Sequence, residues 1–120
     1  MRVRLEFHDD CLLAITDGPY DRAVAQESMV RALQACSERG VMRLLIDGRG
    51  IEGLVTLPDR FDLAAQIAAE APAAFRVAFL MSTENMFTKA LEASAVNRGA
   101  QVRSTDSVEE ALAYLGIATR

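Results

Sequence analysis

Apolar positions along this chain follow two patterns: strict alternation near the N-terminus and short continuous runs further on. Val3, Leu5 and Phe7 alternate with Arg2, Arg4 and Glu6, which reads as a strand buried on one face. Asp9-Asp10 is turn-like, and Cys11 to Thr16 reads as a second strand, so the pair is expected to form an antiparallel hairpin. Pro19 has no N–H to donate to a ladder, so Gly18-Pro19 ends that strand. Asp21 or Pro19 then opens a long helix. Val24, Met29, Val30, Leu33 and Cys36 give it an apolar stripe, and Gly40 supplies its stop.

Met42 to Ile46 shows little polar alternation, as expected of an interior parallel strand covered on both sides. The run ends on Asp47 and passes into Gly48-Arg-Gly-Ile-Glu-Gly53, which reads as a glycine-rich loop. Pro58 lies in the first turn of the next helix, where a missing N–H costs least. That helix is expected to reach about Ala71 and to bury Leu63, Ala64, Ile67 and Ala68 before Pro72 breaks it. Val77 to Met81 is a second continuous apolar strand. A third helix follows over about Met86 to Asn97, with Gly99 placed for a left-handed cap. Val102 sits in a short polar strand suited to a sheet edge. Ser107-Val-Glu-Glu110 is a capping box, and Val108, Ala111, Leu112 and Leu115 form the face of a last helix closed by Gly116.

The order β-β-α-β-α-β-α-β-α predicts an α/β fold: right-handed crossovers and a mostly parallel sheet with an N-terminal antiparallel hairpin. A chain of 120 residues suits one domain spanning 1–120, with a single ordinary core. If strands 42–46 and 77–81 lie side by side and parallel, the turns leaving them share one rim. Sheets of this type place their sites at such a rim.

Composition narrows the function by exclusion. Hydrophobic residues make up 51% and charged residues 25%, so the chain is globular rather than disordered. Thirteen basic against seventeen acidic residues give a net charge of −4 with no basic run, which argues against binding nucleic acid. One His and the separated Cys11 and Cys36 cannot build a closed zinc site, and both cysteines sit among apolar neighbours as buried free thiols. No apolar run is long enough for a signal peptide or a membrane span, so a cytoplasmic protein is expected.

Three stretches together carry a family resemblance: Leu44-Leu-Ile-Asp47 with its glycine-containing loop, Ala95-Val-Asn-Arg-Gly99, and Asp106-Ser-Val-Glu-Glu-Ala-Leu-Ala-Tyr-Leu115. In this order they resemble the STAS-like, or SpoIIAA-like, family, which has the fold of bacterial anti-sigma-factor antagonists. The similarity spans nearly the whole chain and is greatest to small single-domain members, whose last helix commonly reads Glu-Glu-Ala-Leu-x-aromatic-Leu. The resemblance implies a regulatory module that works by binding another protein. Signalling members carry a phosphorylatable Ser in an Asp-Ser-Ser-Gly-like loop at the start of the helix after the third strand. Here that loop reads Gly53-Leu-Val-Thr-Leu-Pro58, which puts Thr56 near the phosphorylated position without the Asp-Ser-Ser-Gly pattern.

The candidate site residues cluster at the expected rim. Gly48 to Gly53 formally matches G-x-G-x-x-G, but Leu54 to Leu57 intervene before the helix and no acidic residue follows at a second strand end. The glycines are therefore read as turn formers, and no cofactor is expected. Asp47 can cap the loop amides or face a ligand, and Arg49 can bind a carboxylate or phosphate in bidentate fashion. Thr56 is an N-cap candidate and a possible phosphorylation site. Ser82 or Thr83 can cap the third helix. Met86 and Phe87 read as core residues or, beside Leu54, Val55 and Leu57, as part of an apolar patch for a partner or lipid. His8 with Asp9 and Asp10 sits in a hairpin turn without a placed nucleophile.

These residues support a non-enzymatic regulatory or protein-interaction module, with a homodimer compatible with the apolar helix faces. The alternative is a carrier or sensor of a small apolar ligand or lipid at the C-terminal edge of the central strands. A pocket below about 100 Å³ would count against that alternative, since ligand pockets are typically several times larger. An enzyme built on Asp47, Arg49 or Glu52 has only their clustering in its favour.

Overall fold

The alternating stretch and the continuous runs become neighbours in one sheet. The computed structural model describes residues 1–86 and 90–117. Among them the chain forms β1 (Arg2–His8), β2 (Cys11–Pro19), α1 (Arg22–Arg39), β3 (Arg43–Glu52), α2 (Leu57–Glu70), β4 (Arg76–Leu80), a 3₁₀ turn (Thr83–Met86), α3 (Ala90–Asn97), β5 (Gln101–Thr105) and α4 (Val108–Leu115). The sheet order is β1-β2-β3-β4-β5, with β1 antiparallel to β2 and every other neighbouring pair parallel. This is the α/β arrangement expected from the sequence.

The two apolar runs lie side by side and point the same way, with Leu44 opposite Val77 and Asp47 opposite Leu80. Their alternate residues feed two cores. Leu44, Ile46, Val77 and Phe79 pack with Leu33 and Cys36 of α1, Leu63 and Ile67 of α2, and Ala95 of α3. Leu45, Ala78 and Leu80 pack under Ala111 and Leu115 of α4. Both faces of these strands are covered, which is why their sequences do not alternate. Leu12, Leu44 and Ile67 are at most 1% exposed, and each such side chain contributes about 1.5–3 kcal/mol of burial. Cys11 and Cys36 are buried free thiols; burial pushes the Cys36 thiol up to about 11.

Local chemistry sets the helix ends. Asp21 caps α1 by accepting from the Val24 amide at 3.2 Å. Gly40 ends that helix in the left-handed region at φ 67°, where the Val41 amide reaches back to the Cys36 carbonyl. In the last capping box Ser107 Oγ accepts from the Glu110 amide, but the return half runs through a third residue. The Ser107 amide donates to Thr105 Oγ1, and the Thr105 hydroxyl donates to Glu110 Oε2. Val108, expected on the buried face of α4, is 42% exposed: it shares the stripe of Ala111 and Leu115 but is the first residue of the helix, a turn ahead of the two that are buried. Ala68 of α2 is likewise only half-buried.

The main correction lies after Asp47. The expected glycine-rich loop is strand: β3 runs on through Gly48, Arg49, Gly50 and Ile51 to Glu52, paired with a β2 that itself reaches Pro19. Ile15 pairs with Asp47 but Asp17 with Gly50, so β3 takes three steps where β2 takes two. That is a β-bulge, which sharpens the twist and re-aims the side chains beside it. The glycines of this segment are packing requirements, not turn formers. A Cβ on Gly50 would stand 2.9 Å from the Thr16 carbonyl oxygen, and one on Gly48 2.7 Å from Met81 Sδ. Only Gly53, at φ 93°, makes the turn that leaves the strand.

The third helix was expected over about Met86 to Asn97, and where it begins lies outside the described residues. The stretch after β4 begins with a 3₁₀ turn, Thr83–Met86, and the described part of the α-helix covers Ala90–Asn97. Ser82 Oγ accepts from the Asn85 amide at 3.4 Å, so Ser82 caps this turn.

Candidate functional site

The rim at the C-terminal ends of β3 and β4 has two parts. The first is the bulge at 47–49. Asp47 Oδ1 accepts from the Arg49 backbone amide at 3.1 Å and from Arg49 Nε at 3.0 Å, while Asp47 Oδ2 accepts from Arg49 Nη2 at 2.8 Å. Asp47 thus caps local backbone and holds the guanidinium in a bidentate pair. The Arg49 hydrogen bond is the main reason the Asp47 carboxyl sits below the usual carboxylate range. An incoming carboxylate or phosphate would meet an Arg49 whose Nε–Nη2 edge and charge are already taken by Asp47. The Thr16 hydroxyl donates to the Asp47 carbonyl at 2.9 Å and anchors the bulge to β2.

The second part is the loop from Gly53 to the start of α2. Thr56 caps that helix, accepting from the Asp59 amide at 3.4 Å, and is exposed. Val55 is buried, while Leu54 and Leu57 are 56% and 47% exposed. Phe61, one helical turn beyond Leu57, is 43% exposed, so it shares the outer face of α2 with Leu57. The loop thus presents large apolar side chains to solvent on an ordered backbone.

What orders that backbone was not visible in the sequence. Asn85 is 4% exposed and reaches across from the 3₁₀ turn. Its Oδ1 accepts from the Val55 amide at 3.0 Å and from Arg60 Nη2 at 3.3 Å, and its Nδ2 donates to the Gly53 carbonyl at 3.2 Å. Arg60 Nε donates to the Val55 carbonyl at 2.9 Å. One buried amide and one guanidinium therefore clamp the loop from both sides. Burial lowers the Arg60 pKa. The only sequence hint was polar Asn85 between Met81 and Met86, and its partners are about thirty residues away along the chain.

A second polar group braces the base of α2. Tyr20 Oη donates to Asp59 Oδ2 at 2.7 Å, and Arg22 bridges Asp59 at 3.1 Å and Asp62 at 3.0 Å. Burial first, and then the Asp59 hydrogen bond, raise the Tyr20 pKa far above its ordinary value. Thr83, expected as a cap, instead donates to Asp106 Oδ2 at 3.3 Å. The expected meeting of Leu54 and Leu57 with Met86 and Phe87 lies outside the described residues: Phe87 is not among them, and the Met86 side chain is not described.

Beneath the loop, between the sheet and helices α1 and α2, lies a cavity of about 80 Å³, smaller than a lipid or an ordinary ligand requires. Among the described residues, no group of three or more His, Cys, Asp or Glu is placed to hold a metal ion, and no helix is long and apolar enough to cross a membrane. Asp47 and Asp59 at the rim are both engaged in ion pairs and hydrogen bonds.

No protein-family pattern matches the chain, and no curated protein matches it in sequence. A solved structure does match: the crystal structure of an anti-sigma factor antagonist from Mycobacterium paratuberculosis, with a TM-score of 0.66 and 14% sequence identity, over 96% of this chain and 93% of that one. The chain therefore has the STAS-like fold, with the antagonist's topology over almost its full described length.

Proposed function

We propose that this chain is a non-enzymatic regulatory module that docks another protein through the loop at 53–57 and the first turns of α2. The observation that carries the reading is the exposure of Leu54, Leu57 and Phe61 on a loop that Asn85 and Arg60 hold rigid. Apolar side chains displayed on an ordered backbone are costly in water, and they gain most when a partner covers them. Pre-ordering the loop lowers the entropy that binding must oppose. The fold shared with an anti-sigma factor antagonist supports a regulatory role of this kind. Thr56 is the natural control point. A phosphate on its exposed hydroxyl would bring about two negative charges to the helix N-terminus, in the middle of the apolar surface.

The test is affinity capture with the full chain, in parallel with Leu57→Asp, Phe61→Asp and Thr56→Glu. The reading expects a protein retained by the native chain and lost with the two aspartate variants, with binding altered by Thr56→Glu. A protein retained equally by Leu57→Asp and Phe61→Asp would refute it.

A further inference from the structure

The cavity under the loop holds one side chain that the fold leaves unsatisfied. Its walls are mainly apolar, with Ala14 and Phe79 from the sheet, Met29 and Ala32 from α1, and Leu63 from α2. Ser28 of α1 also lines it. Ser28 is 7% exposed, and its Oγ has no hydrogen-bond partner among the described residues. A helical serine normally points to water or returns its hydroxyl to the carbonyl four residues earlier. A buried hydroxyl without a partner is destabilising, so a retained one asks for a ligand atom.

Size and charge define what fits. A water occupies about 30 Å³ of liquid, and an apolar cavity of about 150 Å³ accepts the six carbons of benzene, so the space here suits roughly three non-hydrogen atoms. The cation at the wall, Arg60, already donates to Val55 and Asn85. A charged ligand would lose its hydration among mainly apolar walls, with Ser28 as the unpartnered hydroxyl to receive it, which is strongly unfavourable. We propose that this cavity is a binding site for a small neutral amphiphile, a molecule of about three heavy atoms with one oxygen that pairs with Ser28 Oγ, such as a short alcohol.

The place of the cavity gives such a ligand a consequence. Val55, Arg60 and Asn85 line it and also form the clamp on the rim loop. Filling the cavity supports that clamp from beneath, so occupancy stiffens the surface that carries Leu54 and Leu57. The site is defined without reference to any protein partner and stands or falls separately from one.

The experiment titrates the full chain with ethanol, and separately with xenon, while following backbone amide resonances. Saturable shifts centred on Ala14, Ser28, Val55 and Phe79 are expected with both probes. Ser28→Ala should weaken ethanol binding roughly five- to tenfold, the loss of one hydrogen bond, while leaving xenon affinity unchanged or higher. Linear shifts scattered over the surface would overturn the proposal, as would an unchanged ethanol affinity in Ser28→Ala or an equal loss of both probes. Should Ser28→Ala fail to fold, Ala32→Leu fills the same space. It should abolish binding of both probes, and retained binding would overturn the site.

Discussion

The two stretches that leave the inner strands at the rim treat water in opposite ways. At 47–49 the chain places charge at the surface and neutralises it internally, because Asp47 and Arg49 satisfy each other within one bulge. At 53–61 it places apolar side chains at the surface and uses buried polar groups to hold them there. In the first the ordering groups are the exposed ones. In the second they lie beneath, and the exposed groups are left without an internal partner. A surface that has already found its partner within the chain is a poor docking site, and one held in place with its apolar side unmatched is a good one.

The contrast can be broken from either side. The largest effect is expected at Asn85. Asn85→Ala removes the partners of the Val55 amide, the Gly53 carbonyl and Arg60. Groups left buried and unpaired should cost about 2–4 kcal/mol, read by urea unfolding. The same variant should speed amide exchange at Val55 while leaving Arg49 unchanged. Next is Gly50→Ala, where the added Cβ meets the Thr16 carbonyl at 2.9 Å and Asp17 Cβ at 3.0 Å. Backbone cannot move aside cheaply, so a loss of about 1–3 kcal/mol is expected, with disruption spreading along β2. Thr56→Ala removes the N-cap of α2 and should cost about 1 kcal/mol, seen as a modest shift of the unfolding midpoint.

The smallest effect is expected at Arg49. Its side chain is 51% exposed, and exposed ion pairs contribute under about 1 kcal/mol. The pair still leaves a mark on pH dependence. Arg49 lowers the folded pKa of Asp47 below its unfolded value. The stabilisation is therefore present above that unfolded value, near pH 3.9, and is lost as pH falls through the folded one. Arg49→Ala should flatten the acid limb of the stability profile below about pH 4 and leave neutral pH almost unaffected.

The sequence revealed the frame of this molecule better than its working surface. The runs at Leu44–Ile46 and Val77–Leu80 are apolar because both sheet faces are covered, and that burial is written in consecutive residues. Asp21, Gly40, Thr56 and Ser107 signal helix ends through local chemistry, so they too were legible. The strand beyond Asp47 was not. Glycines there read as turn formers, whereas pairing with β2 holds the strand extended and the close approach of the Thr16 backbone excludes a side chain at Gly50. Asn85 was missed for a related reason: its satisfaction depends on a loop far away in the chain. Phe61 was not among the residues the sequence singled out, and only the packing shows it on the outer face of α2.

The most direct test is a side-by-side titration of the captured partner against the native chain, Leu57→Asp and Arg49→Ala. Loss of binding by more than about a hundredfold for Leu57→Asp, the range of a hot-spot residue, with native affinity for Arg49→Ala, is the predicted result. Native affinity for Leu57→Asp together with lost binding for Arg49→Ala would contradict the account, because it would place the docking surface on the bulge rather than on the clamped loop.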